Sequence, residues 1–124
     1  MTPDGDGLPK VGPSARTLGV RPFVDIQPDA KGHVHPGQGG MSVSPDSIWN
    51  IPDHRRPRGI GNGSTGHPND HVFAIAKVSA ELSIRPDPLR PATHAFIEPS
   101  ETVLLVKFEA SLAGTRPDWQ RGWP

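Results

Sequence analysis

Proline and glycine are so frequent in this chain that they leave room for short helices and strands only. Sixteen of the 124 residues are proline and 14 are glycine, a share close to that of disordered, low-complexity chains. Apolar stretches nevertheless separate them, and large aromatic side chains are spread along the sequence, among them Trp49, Phe73, Phe96, Phe108 and Trp119. Disordered chains usually lack such anchors. We therefore expect one small folded domain with long loops, a short half-buried sheet and little helix.

Charge and cysteine content exclude several classes of protein. The 13 basic and 13 acidic residues give zero net charge, so no global field attracts nucleic acid or an anionic membrane. The chain has no cysteine, which excludes disulfides and thiolate metal sites. Because no apolar run approaches the ~20 residues of a membrane span and the start does not resemble a signal peptide, we expect a cytoplasmic protein. Secretion into target cells would need a system that does not use signal peptides.

Short periodic segments predict the order of elements. Residues 1–17 resemble a flexible lead-in, and 18–124 are expected to form the domain. Alternating apolar residues predict strands at three places, and proline restricts a fourth to an edge or irregular strand; these are 41–44, 71–76, 93–99 and 19–26.

The remaining segments predict helix and loop. Residues 77–83 suggest a single helical turn, and 104–113 suggest a helix because Leu104, Phe108 and Leu112 lie four apart. The tail is expected to pack one tryptophan against the domain. The loop 52–70 is long enough to suggest a functional role or disorder.

Familiar ligand motifs are weak in this sequence. The histidine pairs His33/His35 and His67/His71 fall short of the three or four ligands that zinc usually takes, so no metal site is predicted. The glycine-rich stretch 59–66 lacks the strand and helix that a phosphate-binding loop requires. The basic run 54–58, with sequence HRRPR, could contact phosphates of a nucleotide or of RNA, or it could be a solvated loop.

Polar side chains lie beside apolar ones on three of the expected strands. His94 and Glu98 fall on one face of their strand with Phe96 between them, because side chains alternate. Each polar residue also has an ordinary structural explanation; Arg21, for example, could simply pair with Asp25. If the strand faces converge, they form a cleft whose candidate residues are Arg21, Ser42, Ser44, His94 and Glu98.

The order of these segments resembles a known family. The stretches are RPFVDI (21–26), GQGGMSVS (37–44), DHVFAI (70–75) and ATHAFIEP (92–99), followed by a terminal helix. Together they are similar to small toxins of type VI secretion, the second of the Tse exported effectors and its relatives, which use NAD and have an ADP-ribosyltransferase-like fold. The resemblance covers about residues 19–113.

This resemblance implies an α+β fold with a small, split, mixed or antiparallel sheet of ADP-ribosyltransferase type and one or two short helices. It also implies NAD as a substrate, an intracellular protein target, and a cognate immunity protein that protects the producing cell. Membrane association is not expected, and nor is nucleic-acid binding.

Site roles are also implied by the resemblance. Arg21 would contact the NAD phosphates, and His94 would hold the ribose, with Glu98 as the catalytic carboxylate. The nicotinamide pocket would be lined by Gly40, Ser42, Ser44 and Phe96. The chain has no tyrosine, so Phe96, Phe73 or Trp49 would have to supply the stacking ring.

Two other functions remain open at this point. The same scaffold could be a non-catalytic interaction protein with a filled cleft. It could also be an RNA-directed toxin, with loop histidines as general acid and base beside the HRRPR run.

Overall fold

The computed structural model describes residues 1–57 and 69–122. The fold is α+β, with short strands and one helix α1 in that part of the chain. The strands are β1 His33–Val34, β2 Met41–Val43, β3 Phe73–Ala74, β4 Leu82–Pro86, β5 Ala95–Pro99, β6 Val103–Leu104 and β7 Gln120–Arg121; the helix is α1 Leu105–Gly114. Two single 3₁₀ turns cover Ile48–Asn50 and Arg116–Asp118.

The largest sheet has three antiparallel strands in the order β2-β5-β4. In the register, Phe96 of β5 lies between Ser42 and Arg85, and Glu98 lies opposite Ser83. Since side chains alternate along a strand, these residues share one face. Strands β1 and β6 form a second antiparallel pair, and β3 and β7 a third.

Two of the predicted strands are confirmed with small changes in length. The strand expected at 41–44 is β2, and the one expected at 93–99 is β5. Within the strand expected at 71–76, the paired residues are Phe73–Ala74. The segment 19–26 was expected to be an edge or irregular strand. It forms no regular strand, and Ile26 instead makes isolated bridges to Pro22 and to Gly39.

The helical turn predicted at 77–83 is wrong, because residues 77–79 have no regular structure, 80–81 form a turn, and Leu82 begins strand β4. The alternation of Leu82 and Ile84 with Ser83 and Arg85 is a strand period. The nearby prolines obscured it, but β4 is an edge strand and Pro86 is its last residue. Proline is tolerated at such positions because no ladder hydrogen bond is lost.

The buried side chains of helix α1 pack against residues of the central sheet and form the core with them. The helix was expected at 104–113 and runs one residue later. Phe108 and Leu112, four residues apart, are both buried, in a cluster with Leu18, Val20, Ile26, Val34, Met41, Leu82, Ile97 and Trp119. Burying such side chains stabilises the fold by about 1.5–3 kcal/mol each. The buried Trp119 confirms that the tail packs one tryptophan on the domain.

The N-terminal segment contacts the rest of the protein. The Thr2 amide donates to the Arg16 carbonyl, and the His71 amide donates to the Met1 carbonyl, each at 2.8 Å. Pro9 is fully buried. Residues 1–17 are thus bonded to one another and to the domain, while their flexibility stays a prediction.

Two positions just before β2 are glycine because the backbone of another segment lies too close to leave room for a Cβ atom. Gly39 has φ of +104°, and a Cβ there would lie 2.1 Å from the Asp25 carbonyl oxygen. A Cβ on Gly40 would lie 2.3 Å from the carbonyl oxygen of Ile97. The segment 21–26 therefore lies directly against the start of β2.

Candidate functional site

The polar side of the central sheet gathers most of the chemically capable groups. We call it the β5 polar face and define it by Arg85, Asp87, His94, Phe96 and Glu98. Strands β4 and β5 pair from Leu82–Pro99 to Pro86–Ala95, which places alternate residues of both strands side by side. The opposite face of β5 is apolar, with Ala95 and Ile97 in the core.

Glu98 is a buried carboxylate with one oxygen held in place. Its Oε2 accepts hydrogen bonds from Arg85 Nε at 2.9 Å and from the Gly37 amide at 2.8 Å. The side chain is 7% exposed. Within residues 1–57 and 69–122, Oε1 takes no hydrogen bond, yet it is not one of the fully enclosed polar atoms. Oε1 therefore keeps its capacity to accept a further hydrogen bond.

His94 is held in the same way by one ring nitrogen. Its Nδ1 lies 2.8 Å from Asp87 Oδ2, while Asp87 Oδ1 accepts from the Leu89 amide at 2.9 Å. The Leu89 amide, and then the bond to His94, lower the pKa of Asp87 below its ordinary value of 3.8. An ionised Asp87 is an acceptor only, so it favours the proton on Nδ1. In the described part of the chain Nε2 is left without a partner and is not fully enclosed.

Phe96 connects these two groups. Its ring meets the His94 ring edge-on, with centroids 4.8 Å apart and an interplanar angle of 80°. The Arg85 guanidinium lies 4.9 Å from the Phe96 centroid. The face thus contains a half-buried aromatic ring with an imidazole on one side and an arginine–carboxylate pair on the other.

The predicted pocket residues of β2 lie next to this face. Ser42 is exposed and sits opposite Phe96 in the register, and Ser44 follows one residue after the strand. Gly40 is explained by its close approach to β5. Its contact with a cofactor stays a prediction.

Arg21 has a different environment from the other predicted site residues. Its Nε and Nη2 donate to the two carboxylate oxygens of Asp25 at 3.1 and 2.9 Å, and its amide donates to Asp25 Oδ2 as well. This pairing is the structural explanation that the sequence already suggested. Its hydrogen bonds join residues of one turn and do not reach the β5 polar face.

Sequence reasoning missed Arg85 and Asp87, the residues that hold Glu98 and His94. The alternation in Leu82–Pro86 was the available signal. It could reveal a strand, but it could not reveal which side chain of β5 each residue would meet, because that depends on register.

His33, His35 and His71 have partners close by. His35 bonds Asp29 and Thr102, and the His33 amide also donates to Asp29. No group of three or more potential metal ligands occurs among residues 1–57 and 69–122. His67 and the glycine-rich stretch 59–66 lie outside the described residues.

The comparisons with known proteins leave the family open. No family model, curated protein or solved structure matches this chain. In the described ranges, no helix is long and apolar enough to cross a membrane.

Proposed function

We propose that this protein is an NAD-dependent, ADP-ribosyltransferase-like toxin that acts in the cytoplasm of a target cell, with a sheet of the ADP-ribosyltransferase type. The observation that supports it best is the paired arrangement on the β5 polar face. Glu98 and His94 each have one atom held by a neighbour and one atom open, and the Phe96 ring lies between them. The sequence resemblance also implies roles for His94 and Glu98, and it names Phe96 as one of three candidates for the stacking ring.

The proposed reaction needs few groups. The bond between the ribose C1′ and the nicotinamide nitrogen breaks, and its electron pair leaves with nicotinamide. The ribose carries the positive charge as an oxocarbenium ion until a nucleophile of the target, or water, forms a new bond at C1′ and loses a proton. A nearby carboxylate stabilises this charge and can accept a hydrogen bond from a ribose hydroxyl.

The residues of the face fit this chemistry. Glu98 Oε1 is the open acceptor for the ribose, and Arg85 keeps the carboxylate oriented through Oε2. His94 Nε2 is the second contact to the ribose, and the exposed part of Phe96 is a surface on which nicotinamide can stack. Ser42 lies at the edge of that surface.

Arg21 keeps its proposed contact with the NAD phosphates from the resemblance. Its pairing with Asp25 means that this contact requires the guanidinium to turn away from a carboxylate. Arg85, already next to Phe96 and Glu98, is a second arginine with the planar donor fork that suits a diphosphate.

Partners follow from the same proposal. A toxin of this kind modifies a protein target and needs an immunity protein in the producing cell, and it would be exported without a signal peptide. The turn at Phe23 and Val24 supports a protein partner, because these side chains are 68% and 66% exposed. Exposed apolar groups of this size often mark interaction surfaces.

The experiment compares wild type with Glu98→Gln and His94→Ala, induced in a bacterial host, with cellular NAD and released nicotinamide measured. Glu98→Gln keeps the shape and removes the charge. We expect arrest by wild type and at least about a hundredfold slower nicotinamide release by Glu98→Gln, since one positioned catalytic group commonly contributes that much. His35→Ala, which removes another aspartate-bonded histidine, should behave as wild type.

Each outcome has a meaning. Falling NAD indicates hydrolysis, and steady NAD with arrest indicates transfer to a target. A harmless wild type, or arrest that Glu98→Gln leaves unchanged, would overturn the catalytic proposal and favour an interaction protein. Arrest with loss of intact RNA and unchanged nicotinamide would favour the RNA-directed alternative.

A further inference from the structure

A surface hollow forms where the N-terminal segment meets the 52–57 loop. The larger part has a volume of about 360 Å³ and is lined by Thr2, Lys10, Ser14, Ala15, Arg16 and Thr17. A smaller part of about 70 Å³ shares Ala15 and Arg16 and extends to His54, Arg55 and Asp70. We call the two parts the N-terminal hollow. None of its lining residues belongs to the β5 polar face.

Positive charge collects at this hollow although the chain is neutral. The arginines of the described ranges have an ion pair or a side-chain hydrogen bond, with Arg55 as the exception. The Lys10 ammonium also has no partner in that part of the chain. Both side chains are exposed and line the hollow.

The carboxylate in the hollow does not cancel this charge. Asp70 is buried, its Oδ1 accepts from the Thr2 hydroxyl at 2.7 Å, and its Oδ2 lies 3.3 Å from Arg16 Nε. Arg16 remains 44% exposed beyond that contact. The lining of the two parts together therefore contains three cationic side chains, Lys10, Arg16 and Arg55, and one carboxylate, which is Asp70.

Local hydrogen bonds within residues 12–17 hold the wall of the hollow in place before any ligand binds. The Thr17 hydroxyl donates to the Gly12 carbonyl at 2.6 Å and accepts from the Ser14 amide at 3.0 Å. The Arg16 amide donates to the Ser14 hydroxyl at 3.2 Å. This compact loop fixes the backbone on which Arg16 stands, so little ordering is required when a ligand binds.

We propose that the N-terminal hollow binds the diphosphate group of a small phosphorylated ligand. A carboxylate ligand carries one charge, whereas a diphosphate carries two or more and can engage several cations together. Arginine forks give bidentate bonds to phosphate oxygens, and lysine adds a point charge. The site gives a role to the HRRPR run, whose first two residues reach the hollow.

The experiment titrates the full chain with inorganic pyrophosphate, ADP and adenosine, using calorimetry and amide NMR at about 0.15 M ionic strength, where remote charges are screened. We expect pyrophosphate and ADP to bind and adenosine not to bind. Pyrophosphate should shift the amides of Ser14, Arg16 and Arg55.

Matched variants locate the binding site. Arg55→Ala and Lys10→Ala are surface changes, and each should weaken pyrophosphate binding about tenfold, equivalent to about 1.4 kcal/mol. Lys31→Ala removes an exposed lysine elsewhere and should leave binding unchanged.

Three results would overturn the proposal. They are absence of pyrophosphate binding, equal binding by Arg55→Ala and wild type, and shifts confined to β5. Tight binding of a single-stranded oligoribonucleotide without pyrophosphate binding would also reject the small ligand, in favour of nucleic acid.

Discussion

At the scale of single residues, neighbouring groups on the β5 polar face bond one atom of each functional side chain and, in the described part of the chain, leave a second atom without a bond. Arg85 and the Gly37 amide hold one oxygen of Glu98, and Asp87 holds one nitrogen of His94. The held atom fixes the orientation of the group, while the open atom remains available. Such positioning is common at sites where geometry determines reactivity.

The clearest residue-scale prediction concerns Asp87→Asn. Because the Leu89 amide bonds Oδ1, the amide NH₂ of the new asparagine would face His94 and donate to Nδ1, which moves the imidazole proton to Nε2. Nitrogen-15 NMR of His94 should show this change of tautomer, and nicotinamide release should fall at least about tenfold.

The control for that prediction is Asp29→Asn. Asp29 bonds a different histidine, His35, so this variant should leave the His94 resonances and nicotinamide release unchanged. An unchanged tautomer in Asp87→Asn would show that Asp87 does not set the proton position. Loss of activity with no change of tautomer would assign Asp87 a merely structural role.

At the scale of elements, short strands are stabilised by the turns that flank them. The turn before β1 is held by Asp29, whose Oδ1 accepts from the Lys31 and His33 amides and whose Oδ2 bonds His35. These bonds, chiefly the one to His35, lower the pKa of Asp29 from 3.8 to about 2.

This shift predicts an acid-sensitive turn. A carboxylate with a lowered folded-state pKa stabilises the fold above its ordinary pKa, and the contribution is lost as pH falls through the folded value. The difference in free energy of unfolding between wild type and Asp29→Asn should therefore be constant above about pH 5 and shrink between 3.8 and about 2. Urea unfolding at several pH values measures it. A pH-independent difference would contradict the assignment.

The C-terminal end of α1 supports a second element-scale prediction. Thr115 is buried, its hydroxyl donates to the Leu112 carbonyl at 2.6 Å, and it accepts from Trp119 Nε1 at 2.9 Å. Thr115→Val leaves the buried indole N–H without an acceptor, which should lower the free energy of unfolding by about 1–3 kcal/mol. Urea denaturation provides the measurement.

A double-mutant cycle tests the cause. In a Trp119→Phe background no indole N–H is left unpaired, so Thr115→Val should cost less there than in wild type. Equal costs in both backgrounds would assign the loss to the Leu112 bond or to packing instead of the indole.

At the scale of the whole molecule, distant segments close the structure. The N-terminal segment bonds residue 71, and the Gly122 amide donates to the Val72 carbonyl at 3.0 Å. The Arg116 guanidinium donates to the Pro9 carbonyl at 2.9 Å. The two ends of the described chain thus meet at β3.

Hydrogen exchange tests whether the lead-in is flexible. The Lys10 amide donates to the Thr2 carbonyl and the Leu18 amide to the Lys10 carbonyl, at 2.9 and 2.8 Å. If these bonds persist in solution, both amides should exchange at least about tenfold more slowly than an unbonded surface amide such as that of Lys77. Equal rates would confirm the flexible lead-in that the sequence suggests.

The sequence by itself determined the local features of this protein. Alternation located β2 and β5, and four-residue spacing located α1, because burial of one face imposes a period of 2 or 3.6. Alternation also placed His94, Phe96 and Glu98 on one side of a strand. These inferences need only neighbours along the chain.

Tertiary structure alone decided which side chains meet. The pairing of β4 with β5 brought Arg85 to Glu98, and the turn between them brought Asp87 to His94. Folding also placed Lys10, Arg16 and Arg55 in the lining of the two parts of the N-terminal hollow. Register and loop closure are set by the packing of the whole core, so no local pattern could have specified these contacts.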